Sequence, residues 1–162
     1  MIPLFFALTC FNLLMLCIAA GLGYAVDETG RFSAAHQLAG ALTAMVCCAV
    51  HCIVFTYFIA TAKWVQHAIA VKQLDPSLTA PTRSFRRQAF PAALLAMASV
   101  FAAAVVGVAT FNGAFATPLL HELIAWGAIA INIAVAAVEY RAIRRNGALI
   151  DRVLELIHVP QV

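Results

Sequence analysis

The chain has 162 residues, of which 64% are hydrophobic and only 10% are charged, and its formal net charge is +3. Soluble globular proteins carry about 25% charged residues, so this composition excludes a water-soluble domain and predicts that lipid surrounds the chain. It also contains no basic, aromatic-rich stretch typical of nucleic-acid binding, and its five cysteines lie within apolar runs, which does not suit a secreted disulfide framework.

Four long apolar segments follow one another, at about 2–26, 33–62, 89–111 and 118–138. Each is long enough to cross a bilayer core of roughly 30 Å, and each is nearly free of charge. We therefore predict an all-α integral membrane protein, built as a four-helix bundle. Ser33 is a candidate N-cap for the second span, which ends near Lys63 and Trp64, a pair typical of the membrane interface, with helix continuing toward Val71.

The second half of the chain begins with a hydrophilic stretch over 72–87, whose prolines and hydroxyl residues predict a loop. The third span opens near Pro91 and is rich in alanine. It contains Gly107, which would let neighbouring backbones approach closely. The segment 111–117 is predicted to form the turn into the fourth span.

The C-terminal segment differs from the four spans in the pattern of its apolar residues. Asn146 and Gly147 form a predicted helix stop. Beyond them, apolar residues recur at helical spacing over 148–157, which predicts a short amphipathic helix on the membrane surface. We expect a membrane domain over 1–145 and a cytoplasmic amphipathic tail over 146–162.

Basic residues predict the orientation of the chain. Nine of the ten lie after span two or after span four, and only Arg31 lies in the two remaining loops. Since lysine and arginine accumulate on the cytoplasmic side, both termini are expected inside, with a bacterial inner membrane as the default location.

Two histidines are predicted at matching depth near the outer face. His36 and His121 each lie about three residues into a span, on different helices. Such a pair suits a b-type haem held between helices, and Asp27 and Glu122 could complete a copper or zinc site instead. Histidines that only face water at the interface are the structural alternative.

A second polar set is predicted deeper in the membrane. His51, Asn132 and Asn12 lie on three helices, at depths of roughly 20–25 Å from the outer boundary. Each would be costly against lipid, so each should face the bundle interior. A second cofactor, a quinone pocket or a proton relay would use them; interhelical hydrogen bonds are the structural alternative. A copper site of His51 with Cys48 and Cys52 is also conceivable.

No catalytic motif and no defensible internal repeat are present, so whether the chain is an enzyme is left open. The sequence favours a small membrane subunit of an electron-transfer complex, with a b-type haem between His36 and His121 as cofactor and with other membrane subunits and quinone as partners. The alternatives are a cofactor-free accessory or scaffold subunit and a copper- or zinc-binding membrane protein.

Overall fold

The structure, a computed structural model, describes residues 1–114 and 117–158. The predicted turn over 111–117 and the predicted tail over 146–162 therefore fall partly outside the described residues. Within the described residues there are no strands; the elements are four long helices and one short 3₁₀ helix. They are α1 (Ile2–Tyr24), α2 (Ser33–Lys72), the 3₁₀ helix Pro76–Thr79, α3 (Ala80–Phe111) and α4 (Pro118–His158).

The four helices form the predicted bundle. Each packs against its neighbour in chain order, α4 returns against α1, and α2 and α4 also touch across the middle. All four are long and apolar enough to cross a membrane, so the chain is a multi-pass membrane protein by the length and composition of its helices. We call the end where α2 and α4 begin the histidine end, and the opposite end, which carries nine of the ten lysines and arginines, the basic end.

In α3 the small side chains face the interior of the bundle and the large apolar ones face outward, as expected for a bundle surrounded by lipid. Ala89, Ala93 and Ala96 are completely buried, whereas Leu94 and Leu95 are more than half exposed. A water-soluble bundle would place the large apolar side chains inside, because the hydrophobic effect favours their burial. In lipid that driving force is absent, and small inward residues let backbones approach each other.

Helix α3 begins earlier than the sequence predicts, so the predicted loop over 72–87 is wrong for residues 80–87. Pro81 lies in the first turn, where its missing N–H breaks no hydrogen bond. Phe85 and Ala89 then continue the buried face toward the membrane. Pro91, predicted near the start of the span, lies inside the helix.

The helix stop predicted at Asn146 is also wrong. Helix α4 runs without interruption to His158, and Asn146 is buried on the same face as Leu149 and Val153. The residues of the predicted amphipathic segment are thus helical, but they continue span four. Ser33 is not the N-cap of α2 either, because Phe32 takes that position with a left-handed backbone.

Candidate functional site

The two histidines predicted at matching depth meet at the histidine end. The ring centres of His36 and His121 lie 5.9 Å apart, with the rings nearly perpendicular at 74°. Both side chains are partly buried. Since both residues lie on the first turn of their helices, the diagonal contact of α2 with α4 brings them together.

The backbone of α1 fixes the tautomer of His36. Its Nδ1 atom lies 2.9 Å from the carbonyl oxygen of Ala19. A carbonyl oxygen can only accept a hydrogen bond, so Nδ1 must donate and carry the proton of the neutral ring. The lone pair of Nε2 is then free, which is the state in which histidine binds a metal while its other nitrogen donates to a carbonyl.

The backbone of α3 takes the corresponding position beside His121. The main chain of Ala103 interacts with this imidazole, yet Nδ1 of His121 is buried and makes no hydrogen bond. A buried ring nitrogen without a partner is unfavourable, because the lost hydration is not replaced.

A glycine lies against each imidazole. A Cβ atom on Gly23 would be 3.0 Å from Cε1 of His36, and one on Gly107 would be 2.8 Å from Cε1 of His121. Real Cβ atoms essentially never come as close as 2.8 Å to another atom, and a 3.0 Å approach is tighter than nine in ten real Cβ contacts, so His36 would have to move by a few tenths of an ångström. Any other residue at these two positions would push the ring away, so the absence of a side chain sets the position of both histidines.

These contacts reveal a local repeat that sequence reading missed. The segments 19–25 (AAGLGYA) and 103–109 (AAVVGVA) share two alanines, a glycine and a final alanine at the same spacing. Each is followed, after a short connection, by a histidine at the start of the next helix, in 36–38 (HQL) and 121–123 (HEL). The two hairpins thus supply similar half-sites, each with a glycine that lies against a histidine ring.

The acidic residues predicted to complete a metal site have other partners. One carboxylate oxygen of Asp27 accepts hydrogen bonds from the Thr29 hydroxyl and the Arg31 backbone N–H, which lowers the pKa of Asp27. Glu122 accepts a hydrogen bond from the Tyr24 hydroxyl. Across the described residues, no three His, Cys, Asp or Glu side chains form a group that could hold a metal ion.

Deeper in the bundle, the two predicted asparagines pair with each other. Nδ2 of Asn12 donates to Oδ1 of Asn132 at 3.2 Å, and Sγ of Cys47 donates to the same oxygen at 3.5 Å. All three side chains are buried. These three side chains link α1, α2 and α4 by hydrogen bonds, as the structural interpretation of the asparagines predicts. Oδ1 of Asn12 has no hydrogen-bond partner.

His51 does not join the asparagines by a hydrogen bond. Its Nδ1 atom lies 2.8 Å from Oε1 of Glu139, and the two residues are only 3% and 1% exposed. Nε2 of His51 is buried and unpartnered. Sequence reading assigned Glu139 to the end of span four and missed its role. The sequence did indicate that Glu139 faces the bundle interior, because it follows Asn132 by seven residues and so lies on the same helix face.

A fourth polar contact lies nearer the basic end, where Nδ2 of Asn146 donates to the Thr61 hydroxyl at 3.0 Å. This pair and the Cys47–Asn132 pair both join residues 85 positions apart, the spacing that also separates the two clustered histidines. Polar contacts therefore recur along the interface of α2 and α4. The conceivable copper ligands Cys48 and Cys52 point away from it, being partly and largely exposed.

No protein-family model matches the chain, and neither the curated proteins nor the solved structures contain a match.

Proposed function

We propose that this chain is a membrane electron-transfer subunit that holds one b-type haem between His36 and His121. The observation that carries the proposal is the pairing of two imidazoles from different helices, each backed by a glycine. His36 and His121 would be the two side chains that hold the haem iron, which would need no third protein ligand. When bound, the haem would carry a single electron between a donor and an acceptor in the membrane.

The residues present fit this group in three respects. His36 and His121 lie on different helices, and both would be ligands of the haem iron. Their ring centres are 5.9 Å apart, so the two side chains are near enough to hold one group together. The Ala19 carbonyl leaves Nε2 of His36 free to bind, and each of the two rings lies against a glycine.

A zinc or copper site is less well supported. Structural zinc takes four protein ligands and catalytic zinc takes three, whereas the histidine pair has no third ligating side chain within the described residues. Asp27 and Glu122 are engaged elsewhere, as described above. The cofactor-free scaffold subunit remains the second candidate, favoured by the hydrogen bonds that occupy Asn12 and Asn132.

The charge distribution supports a cytoplasmic basic end, with both termini inside and the histidine pair near the outer face of a bacterial inner membrane. Other membrane subunits and a quinone are the partners that an electron carrier in this position would need. Aromatic side chains of the kind found at membrane interfaces, Tyr24 and Trp126, are exposed at the histidine end and joined by a hydrogen bond of 2.9 Å.

The test is an absorption spectrum of the purified protein, oxidised and reduced, together with metal analysis. We expect a Soret band and about one haem per chain in the wild type, and loss of the band in both H36A and H121A. His67→Ala is the matched control, because His67 lies on α2 but is exposed at the basic end. A colourless protein without iron, expressed with haem available, would overturn the proposal; zinc or copper in its place would favour the metal-handling alternative.

A further inference from the structure

His51 and Glu139 form an acid–base contact that is buried inside the bundle. Placing a carboxyl group and an imidazole in a membrane-spanning bundle is expensive, so such residues mark a function by default. An asparagine pair or an apolar pair would join the same helices at lower cost, as Asn12 and Asn132 do nearby.

The chemistry of the pair is that of a site for one proton. With a single proton between them, a carboxylate and a neutral imidazole carry one negative charge; with a second proton, the pair becomes neutral overall. Nε2 of His51 is the atom left to gain or release that proton, and it is buried without a partner. In neither protonation state does Nε2 have a hydrogen-bond partner within the protein. No hydrogen-bond network therefore holds the pair in one protonation state.

The surroundings add few other charges. Cys47, one turn away on α2, interacts electrostatically with Glu139. The buried residues of α1 are Phe5, Asn12 and Leu16, and none is ionisable. The buried residues of α3 are uncharged too, although the Nε atom of Arg86, toward the basic end, is buried. In so apolar a setting an added charge acts over a long distance, because little screens it.

We propose that His51 and Glu139 form a proton-binding site that gains a proton when the histidine end receives an electron. The second part of this statement rests on the proposed function. His51 follows His36 by 15 residues on one helix, so the two sites are roughly 22 Å apart. A one-electron donor supplies the electron, and water supplies the proton, which forms an N–H or O–H bond on the pair. The added negative charge is thereby compensated inside the membrane.

Infrared difference spectra between the oxidised and reduced protein test the proposal directly. We expect the infrared bands of the Glu139 carboxyl group to change on reduction in the wild type, whether the proton adds to the carboxylate or to Nε2 of His51, and this change to be lost in Glu139→Gln. Glu155→Gln is the matched control, because Glu155 lies on the same helix but is exposed. The midpoint potential should fall as pH rises in the wild type and in E155Q, and this slope should flatten in E139Q. Identical carboxyl bands and identical slopes in wild type and E139Q would overturn the proposal.

Two further measurements keep the outcome clear. If E139Q does not fold, His51→Gln leaves the carboxyl group in place, and an unchanged band in that variant would contradict the pairing. If the wild type is colourless, the proposed function fails, and infrared spectra recorded against pH then test proton binding alone. A carboxyl band that responds to pH and is absent from E139Q would support the proton site, whereas no such band would remove it.

Discussion

Gly107 lies directly against the imidazole of His121, so closely that a Cβ atom at this position would be 2.8 Å from Cε1. Gly23 and His36 repeat this relationship at 3.0 Å. Gly107 lies inside α3 and Gly23 in the last turn of α1, and glycine in the middle of a helix is unfavourable by roughly 0.5–1 kcal/mol relative to alanine. Their position against the rings explains why the chain tolerates that cost.

Gly107→Ala should therefore weaken the histidine site, and Gly23→Ala should do so less strongly. Overpacking of a close contact costs about 1–3 kcal/mol, which corresponds to roughly one to two orders of magnitude in the affinity for a ligand held by both rings. The measurement is haem content and haem affinity of each purified variant. Gly21→Ala and Gly127→Ala are the controls, because a Cβ at either position meets no atom within 4 Å. Equal effects in all four variants would contradict the proposed role of the two glycines.

Gly147→Ala should stabilise the protein by about 0.5–1 kcal/mol, since alanine is the better residue in the middle of a helix. The space for a methyl group is open, because no atom lies within 4 Å of the added Cβ. Unfolding in detergent micelles would measure the change. Gly113→Ala should have the opposite sign, because Gly113 has a left-handed backbone with φ of 63°. A destabilising G147A would show that α4 does end near Asn146, as the sequence analysis expected.

Thr29→Val should raise the pKa of Asp27 toward its ordinary value, because the hydrogen bond from the Thr29 hydroxyl is the largest cause of the lowering. A lowered carboxyl pKa stabilises the folded loop at pH values above the ordinary value of 3.8, and this contribution is lost as the pH falls through the lowered value. The wild-type loop should thus lose this stabilisation only in strong acid. In Thr29→Val the stabilisation should be smaller from the outset, because the largest cause of the lowered pKa is removed.

Carboxyl NMR titration would measure the pKa of Asp27 in both proteins. Asp75 provides the internal control, because Ser77 lowers its pKa in the same way in a different loop. Ser77→Ala should raise the pKa of Asp75 and leave that of Asp27 unchanged. If both pKa values moved in either variant, a general change of charge rather than the local hydrogen bond would be responsible.

The fold could be predicted from the sequence because lipid imposes one dominant constraint on it. A stretch such as 2–24 has no charge and the length of a bilayer crossing, and few other structures suit it. The ends of the helices were less predictable. Proline and asparagine often end helices. Pro81 is tolerated because it lies in the first turn of α3, and Asn146 is tolerated because its amide donates a hydrogen bond to a threonine hydroxyl of α2.

The candidate site could be predicted in part. Depth along each span depends only on counting residues, so the matching depths of His36 and His121, and of Asn12 and Asn132, followed from the sequence. The partner of His51 did not, because it depends on which faces of α2 and α4 turn toward each other. The glycines were missed for a related reason, since their role is visible only once a ring from another helix lies against them.

The sequence similarity between the half-sites of the two hairpins has a consequence for how such a chain can vary. One hairpin alone carries a carbonyl acceptor, a glycine and a histidine, so two copies associated as a homodimer would present a complete, symmetric pair of ligands. Joining the two copies in one polypeptide frees each to diverge. The position equivalent to Glu139 is Val54 and that equivalent to His51 is Ala136, so the buried acid–base pair occurs once, has no counterpart at the corresponding positions and distinguishes one hairpin from the other.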